Sequence, residues 1–216
     1  MRGLYAIVDP EQCTGLISEP LELADAILRG GCGSLQLRAK SLSDEEFLAL
    51  ARPLAQLCRQ HCVPFFVNDR VHLVEPAGAV GVHLGQDDMD VRTARALLGN
   101  RLIGVSTHNL DQVRRAAAMG VDLIGFGPVY HTVTKREPDP VVGLRLLHQT
   151  CQRSPVPVVA IGGINQDNAA YVVATGTSMV AMISALAQSE HPEWDARRMH
   201  ELCGGEVPAT QALSIH

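Results

Sequence analysis

The 216-residue sequence has no apolar run approaching the roughly 18 residues that a membrane-spanning helix needs, so no membrane partner is expected. It also lacks a basic excess. Eighteen Lys and Arg stand against 23 Asp and Glu, giving a net charge of -5. A general nucleic-acid binder needs a basic footprint, so that class is excluded, while a local basic pocket for a small anion stays open. The opening MRGLYAIVDP has no charged region, long apolar stretch or small-residue cleavage site of a secretory leader, and a cytoplasmic location is expected. No GxSxG elbow, GxxxxGK[ST] loop or HExxH helix is present. Of the six cysteines (Cys13, Cys32, Cys58, Cys62, Cys151, Cys203), only Cys58 and Cys62 lie close, and four apart they would share one helical face. With no second close pair to complete a zinc set, all six read as reduced thiols, several of them in the core.

What the sequence does have is alternation. Short apolar runs, LYAIV (4–8), SLQLR (34–38), FFVN (65–68), AVGVHL (79–84), LIGVS (102–106), DLIGFG (122–127), VPVVAIGG (156–163) and SMVAMIS (178–184), are separated by amphipathic stretches. The second of these stretches opens with Ser43 and Glu46 at capping-box spacing; the third, around Val71, Leu73 and Val74, looks stunted. Runs apolar at nearly every position suit strands covered on both faces, as in parallel sheets. An open doubly wound sheet and a closed barrel both fit; about eight evenly spaced units favour a single-domain (β/α)8 TIM barrel, though a short one. The barrel is expected over residues 1–203. Residues 204–216 show no pattern and are expected to be a poorly ordered tail.

Barrel active sites lie on the loops after the strands, so the polar residues at each strand end carry the functional reading. Strand two ends in Gln36-Leu37-Arg38-Ala39-Lys40, with Gln36, Arg38 and Lys40 in one phase. The two cations are either solvated loop charges or anion ligands. Strand three ends in Asn68-Asp69-Arg70, where Asp69 either caps the next helix or joins Asp87-Asp88 of the following loop. Two carboxylates on adjacent loops beside cations suit Mg2+ held jointly by protein and substrate phosphates. Strand five ends in Ser106-Thr107-His108, and the loop after strand six carries Thr132, Thr134 and Lys135. Gly162-Gly163 follow strand seven and Ser184 closes strand eight, where barrels often cradle a phosphate. His83 reads as a core-edge residue satisfied by backbone rather than as a catalytic one.

These segments together resemble the thiamine-phosphate synthase family. GLYAIVD, QLRAK, NDR, GVHLGQDD, GVSTH, GFGPVYHTVTK, VVAIGG and VAMISA occur in the family's order on successive units, over about residues 3 to 200. The resemblance implies a Mg2+-dependent barrel transferase that joins an aminopyrimidine diphosphate to a thiazole phosphate through a dissociative step. By that resemblance Gln36, Arg38, Lys40 and Asn68 hold the pyrimidine diphosphate, completed by Ser106 and Lys135, while Asp69 and Asp88 ligate Mg2+. Arg38, Lys40, Ser106 and Lys135 are the expected catalytic set. Thr132, Val133, Thr134, Gly143, Ile183 and Ser184 position the thiazole phosphate, with Gly162 and Gly163 nearby. Asp87 is left as a helix-start charge, and the loop from Pro128 to Pro140 as a lid. The chain departs from the family pattern at His131, where Pro is usual, at Val8, where Thr is common, and at Met179, where Gly is frequent.

Two rivals remain at this level. A thiazole tautomerase would need an acid–base residue, for which His131 or His83 are the candidates. A non-catalytic barrel binding thiamine precursors would keep the phosphate cradle without the metal acids. Only small phosphorylated molecules are expected as partners, and the oligomeric state is open.

Overall fold

In the computed structural model, which describes residues 1–132, 134 and 139–206, eight parallel strands close on themselves in the order β1 to β8. They are β1 (Gly3–Val8), β2 (Ser34–Leu37), β3 (Phe65–Asn68), β4 (Gly81–Leu84), β5 (Leu102–Thr107), β6 (Leu123–Phe126), β7 (Val158–Ala160) and β8 (Met179–Met182). The seam pairs β1 with β8, Gly3 opposite Met179. Around the sheet run α1 (Pro20–Gly30), α2 (Asp44–Gln60), α3 (Val74–Ala77), α4 (Val91–Leu98), α5 (Leu110–Ala118), α6 (Gly143–Arg153), α7 (Ala169–Val173), α8 (Ser184–Ala187) and α9 (Pro192–Leu202). No helix among the described residues is long and apolar enough to cross a membrane.

The pleat sorts the strand residues into two cores. Leu4, Ala6, Leu35, Leu37, Val67, Val82, Ile103, Val105, Ile124 and Phe126 face outward into a continuous layer under the helices, with Leu23, Ile27, Phe47 and Leu54. Tyr5, Ile7, Phe66, Leu123, Val159, Met179 and Ala181 fill the interior. Each fully buried aliphatic or aromatic side chain contributes about 1.5–3 kcal/mol relative to exposure. Both faces are therefore dry, which is why the strands read as unbroken apolar runs. Val8 and Met179, two of the departures from the family pattern, are buried in these layers.

The capping box at the start of α2 forms as the sequence implies: Ser43 Oγ accepts from Glu46 N, and Glu46 Oε2 accepts from Ser43 N at 2.8 Å. The third unit is stunted, a 3-10 turn (Val71–Leu73) running into the four-residue α3. Three readings are corrected. Cys62 does not share a helical face with Cys58, because α2 ends at Gln60; Cys62 is exposed with φ +56 while Cys58 is buried. Asp87 does not start a helix. Asp90 caps α4, its carboxylate accepting from Arg92 N and Thr93 N, and it leaves Asp87 in the preceding turn. Ser184 does not close β8, which ends at Met182; it is the first residue of α8. Of the tail, residues 204–206 lie against α9, where Gly205 N donates to His200 O at 2.9 Å; residues 207–216 lie outside the described part.

Candidate active site

A cavity of about 590 Å3 opens at the C-terminal ends of the strands. It is lined by Gln36, Arg38, Lys40, Asn68, Asp69, Asp88 and Ser106 on the β2–β5 side. Across it stand Thr132, Thr134, Gly162, Gly163, Ile183 and Ser184. Thirteen of the sequence-derived residues thus line one cavity. Gly143 does not line the cavity; it opens α6 with φ +71, so its role is to turn the chain in a left-handed conformation open to glycine. Val133 and Lys135 lie outside the described residues.

The basic side is tied down by partners that the motif reading passed over. Asp9, 1% exposed just after β1, takes Arg38 in an ion pair, and its other carboxylate oxygen accepts from Glu11 N at 3.0 Å. Arg38 N donates to Val8 O, extending the β1–β2 ladder one residue past the strand. Arg70 anchors the loop bearing Lys40. Its guanidinium donates to the Ala39 and Leu42 carbonyls and to Asp44, and lies 4.9 Å over the Phe47 ring. Neither Asp9 nor Arg70 was assigned a role from sequence, because each acts on a neighbouring strand's loop. The signal available was their adjacency to the motifs, in YAIVD and NDR.

Asp69 does not cap a helix. Its φ of +61 turns the chain after β3 and brings its carboxyl to the carboxyl of Asp88. Burial and then the neighbouring Asp88 push the Asp69 carboxyl up to about 6, and Lys40, 3.1 Å away, only partly offsets this. Gly85 N donates to Asp88 Oδ2 at 2.6 Å and fixes the second carboxyl. The set suits Mg2+: hard oxygen donors, like charges facing each other, and a half-exposed Lys40 beside Asp69 as the partial counter-charge. Among the described residues no group of three or more His, Cys, Asp and Glu forms an all-protein cage. One or two carboxylates, with the other positions left to water and phosphate, is how Mg2+ is usually held.

His83 departs from its sequence reading. Its partner is not backbone: Nε2 lies 3.0 Å from Ser106 Oγ, and Nδ1 is buried with no partner. Burial pushes the imidazole down to about 4, so the ring is neutral near pH 7. Deeper in the barrel Gln36 Nε2 donates to Tyr5 Oη at 2.9 Å. The opposite wall is built from backbone. Gly162 and Gly163 have φ +101 and +65, and a Cβ on either would meet residues 128–131 within 2.6 Å. Val129 N and Tyr130 N donate to Ile161 O and Gly162 O, laying the start of the 128–140 loop along the end of β7. Asp139, at the loop's far end, pairs with His108 Nε2 at 3.4 Å, and His108 Nδ1 lies 2.6 Å from Gly127 O. His131 lines the mouth.

Comparison with known proteins adds independent findings. The family model described as thiamine monophosphate synthase matches residues 4–186. A thiamine-phosphate synthase of Bacillus velezensis is 42% identical over 188 residues, covering 85% of this chain and 84% of its own length. One from Chloroflexus aurantiacus is 41% identical over 212 residues, 98% of this chain and 95% of its own. The thiamine phosphate pyrophosphorylase structure from Pyrococcus furiosus superposes with a TM-score of 0.84 at 32% identity, over 94% and 95% of the two chains.

Proposed function

The chain belongs to the thiamine monophosphate synthase family, and from that membership we propose a division of labour among the residues of its cavity. Its activity is thiamine-phosphate synthesis: 4-amino-2-methyl-5-hydroxymethylpyrimidine diphosphate is joined to a thiazole phosphate, and pyrophosphate leaves. The bond between the pyrimidine methylene carbon and the diphosphate oxygen breaks, and its electron pair departs with the diphosphate. The thiazole nitrogen then gives its lone pair to the methylene carbon. Neither step demands a strong general base.

The observation that carries the assignment is the convergence of Arg38, Lys40, Asn68, Asp69, Asp88 and Ser106 from four consecutive strand ends on one wall. The leaving diphosphate gathers negative charge, and donors already aimed at it lower the barrier. Arg38, held by Asp9, and Lys40, on the loop held by Arg70, meet that charge with little reorganisation. Gln36 and Asn68 orient the pyrimidine, and Ser106 donates toward the diphosphate. Asp69 and Asp88 hold Mg2+. When bound, the ion neutralises part of the charge on the leaving group. By family membership alone, Lys135 is assigned to the diphosphate side and Val133 to the thiazole side. Thr132, Thr134, Ile183, Ser184 and the Gly162-Gly163 backbone seat the thiazole phosphate in a cradle of neutral donors. Gly143 supports it only indirectly, through the start of α6. Of the two acid–base candidates of the tautomerase reading, His83 has its Nδ1 buried without a partner and its Nε2 engaged by Ser106, which argues against that role.

The test is direct. The protein incubated with both phosphorylated precursors and Mg2+ forms thiamine phosphate and pyrophosphate in equal amounts, and EDTA abolishes both. Coupling unaffected by EDTA would remove the metal assignment; no coupling with Mg2+ present would remove the reading of the site.

A further inference from the structure

The unassigned residue with the most telling surroundings is His83. It points inward from β4 and lies over glycines of the next two strands, Gly104 on β5 and Gly125 on β6. A Cβ on Gly104 would sit 2.6 Å from His83 Nδ1, and one on Gly125 would sit 3.1 Å from Cε1. The register places Gly104 beside His83 and Gly125 beside Ser106, so β5 and β6 leave a ring-sized space next to the cavity. The edge of the Tyr5 ring closes another side, with centroids 6.3 Å apart at 67°. Within that slot Nδ1 is sealed against β5 without a partner, and Nε2 meets Ser106 Oγ at 3.0 Å.

From this geometry we infer that His83 is a positioning residue: its Nε2–H donates to Ser106 Oγ, which leaves the serine's own O–H free to donate to the leaving diphosphate. A neutral imidazole carries one N–H. On Nδ1 that hydrogen would be buried against the Gly104 backbone with nothing to accept it, and orphaned buried N–H groups are rare and costly. On Nε2 it forms a bond of ordinary length, and the sealed position keeps only a lone pair. Protonating the ring would place that same orphaned hydrogen on Nδ1, so the slot itself favours the neutral form. The serine hydroxyl is a free rotor until something occupies one of its lone pairs. With His83 donating, the hydroxyl proton cannot turn back toward the ring, so the hydroxyl reaches the reaction already oriented. The orientation of Ser106 toward diphosphate rests on the proposed function; the tautomer does not.

Two measurements on the full-length protein test the inference. In protein labelled with 15N in its histidines, the His83 resonances, assigned by their loss in His83→Gln, show the neutral Nε2–H tautomer between pH 6 and 9. An Nδ1–H tautomer or a protonated ring overturns the proposal whatever the kinetics. In coupling assays His83→Ala lowers kcat about tenfold with KM for the thiazole phosphate unchanged. His83→Gln, whose amide N–H replaces Nε2–H, recovers most of the loss. The double variant with Ser106→Ala is no slower than Ser106→Ala alone. Additive losses, or no recovery in a His83→Gln protein that melts like the parent, overturn it. If the unaltered protein fails to couple the precursors, the proposed function falls, and the tautomer measurement still decides the role of the ring.

Discussion

At residue scale, Asp69 sets the metal-binding role proposed for it against stability. Its carboxyl is raised from 3.8 to about 6 because folding buries it against Asp88. Between those values the folded protein keeps a proton that the unfolded chain has released, so stability falls as pH rises through the window, and the full deficit persists above it. Asn cannot ionise, and it is among the few residues that accept the φ of +61 at this position. Asp69→Asn is therefore expected to raise the melting temperature of the metal-free protein above pH 6, by about 1–2 kcal/mol in stability, with the gain vanishing toward pH 4. Losing the Lys40 pair subtracts little, because that side chain is half exposed. Coupling should fall at least a hundredfold. Asp69→Ala is a poorer test, since it adds backbone strain to the loss of the ligand. Equal stability of Asp69→Asn and the parent at pH 8 would show that the carboxylates do not repel. That Asp69 and Asp88 meet was foreshadowed in NDR and GQDD, because acids ending consecutive units fall on neighbouring loops. His83 and Asp9 were not, because their roles depend on partners 23 and 29 residues away.

At element scale, the loops that present the cations are held by contacts outside the cavity. Arg70 satisfies carbonyls of Ala39 and Leu42 that would otherwise be left partly buried, and it stacks on Phe47 at the first turn of α2. Lys has neither the planar fork nor the stacking face. Arg70→Lys and Arg70→Ala are both expected to raise KM for the pyrimidine diphosphate five- to twentyfold, through Lys40 on the loosened loop. KM for the thiazole phosphate should stay within a factor of two, because the residues proposed to seat it, Thr132, Thr134, Gly162, Gly163, Ile183 and Ser184, follow β6, β7 and β8. Steady-state kinetics with each substrate varied in turn checks this; parallel rises in both constants would mean that Arg70 acts on the whole fold. Element type was legible throughout, element edges less so. The α4 start moved from Asp87 to Asp90 because either acid can accept from backbone amides, and only the chain's turn at Gly85–Asp88 decides which one does. The face shared by Cys58 and Cys62 failed for a similar reason: periodicity carries on past a helix end that the backbone fixes at Gln60.

At the scale of the molecule, the barrel was readable from the count and evenness of its units. The cavity's location followed, since the strand ends of such a fold gather at one pole. What a linear reading could not supply is which inward-facing positions are left empty. Gly104 and Gly125 look like ordinary strand glycines in sequence, and only the staggered register of β4, β5 and β6 turns them into the slot for His83.

The ladder between β1 and β8 joins residues such as Gly3 and Met179, separated by 176 positions. A chain emerging from the ribosome therefore holds β1 with one edge unpaired until nearly all of the barrel has been made. Each earlier strand finds its neighbour promptly; the first waits for the last. A chain stopped before Met179 would expose two strand edges at once, on β1 and on β7, and such edges invite pairing between molecules. Fragments ending near residue 176 are accordingly expected to be recovered as aggregates even though every helix up to α7 is present, whereas a chain extended through α9 is expected to be soluble; fractionation after in vitro translation separates the two. The cost of closing the sheet is deferred until β8 has been made, which makes the pairing of β8 with β1 the moment at which the cavity is first complete.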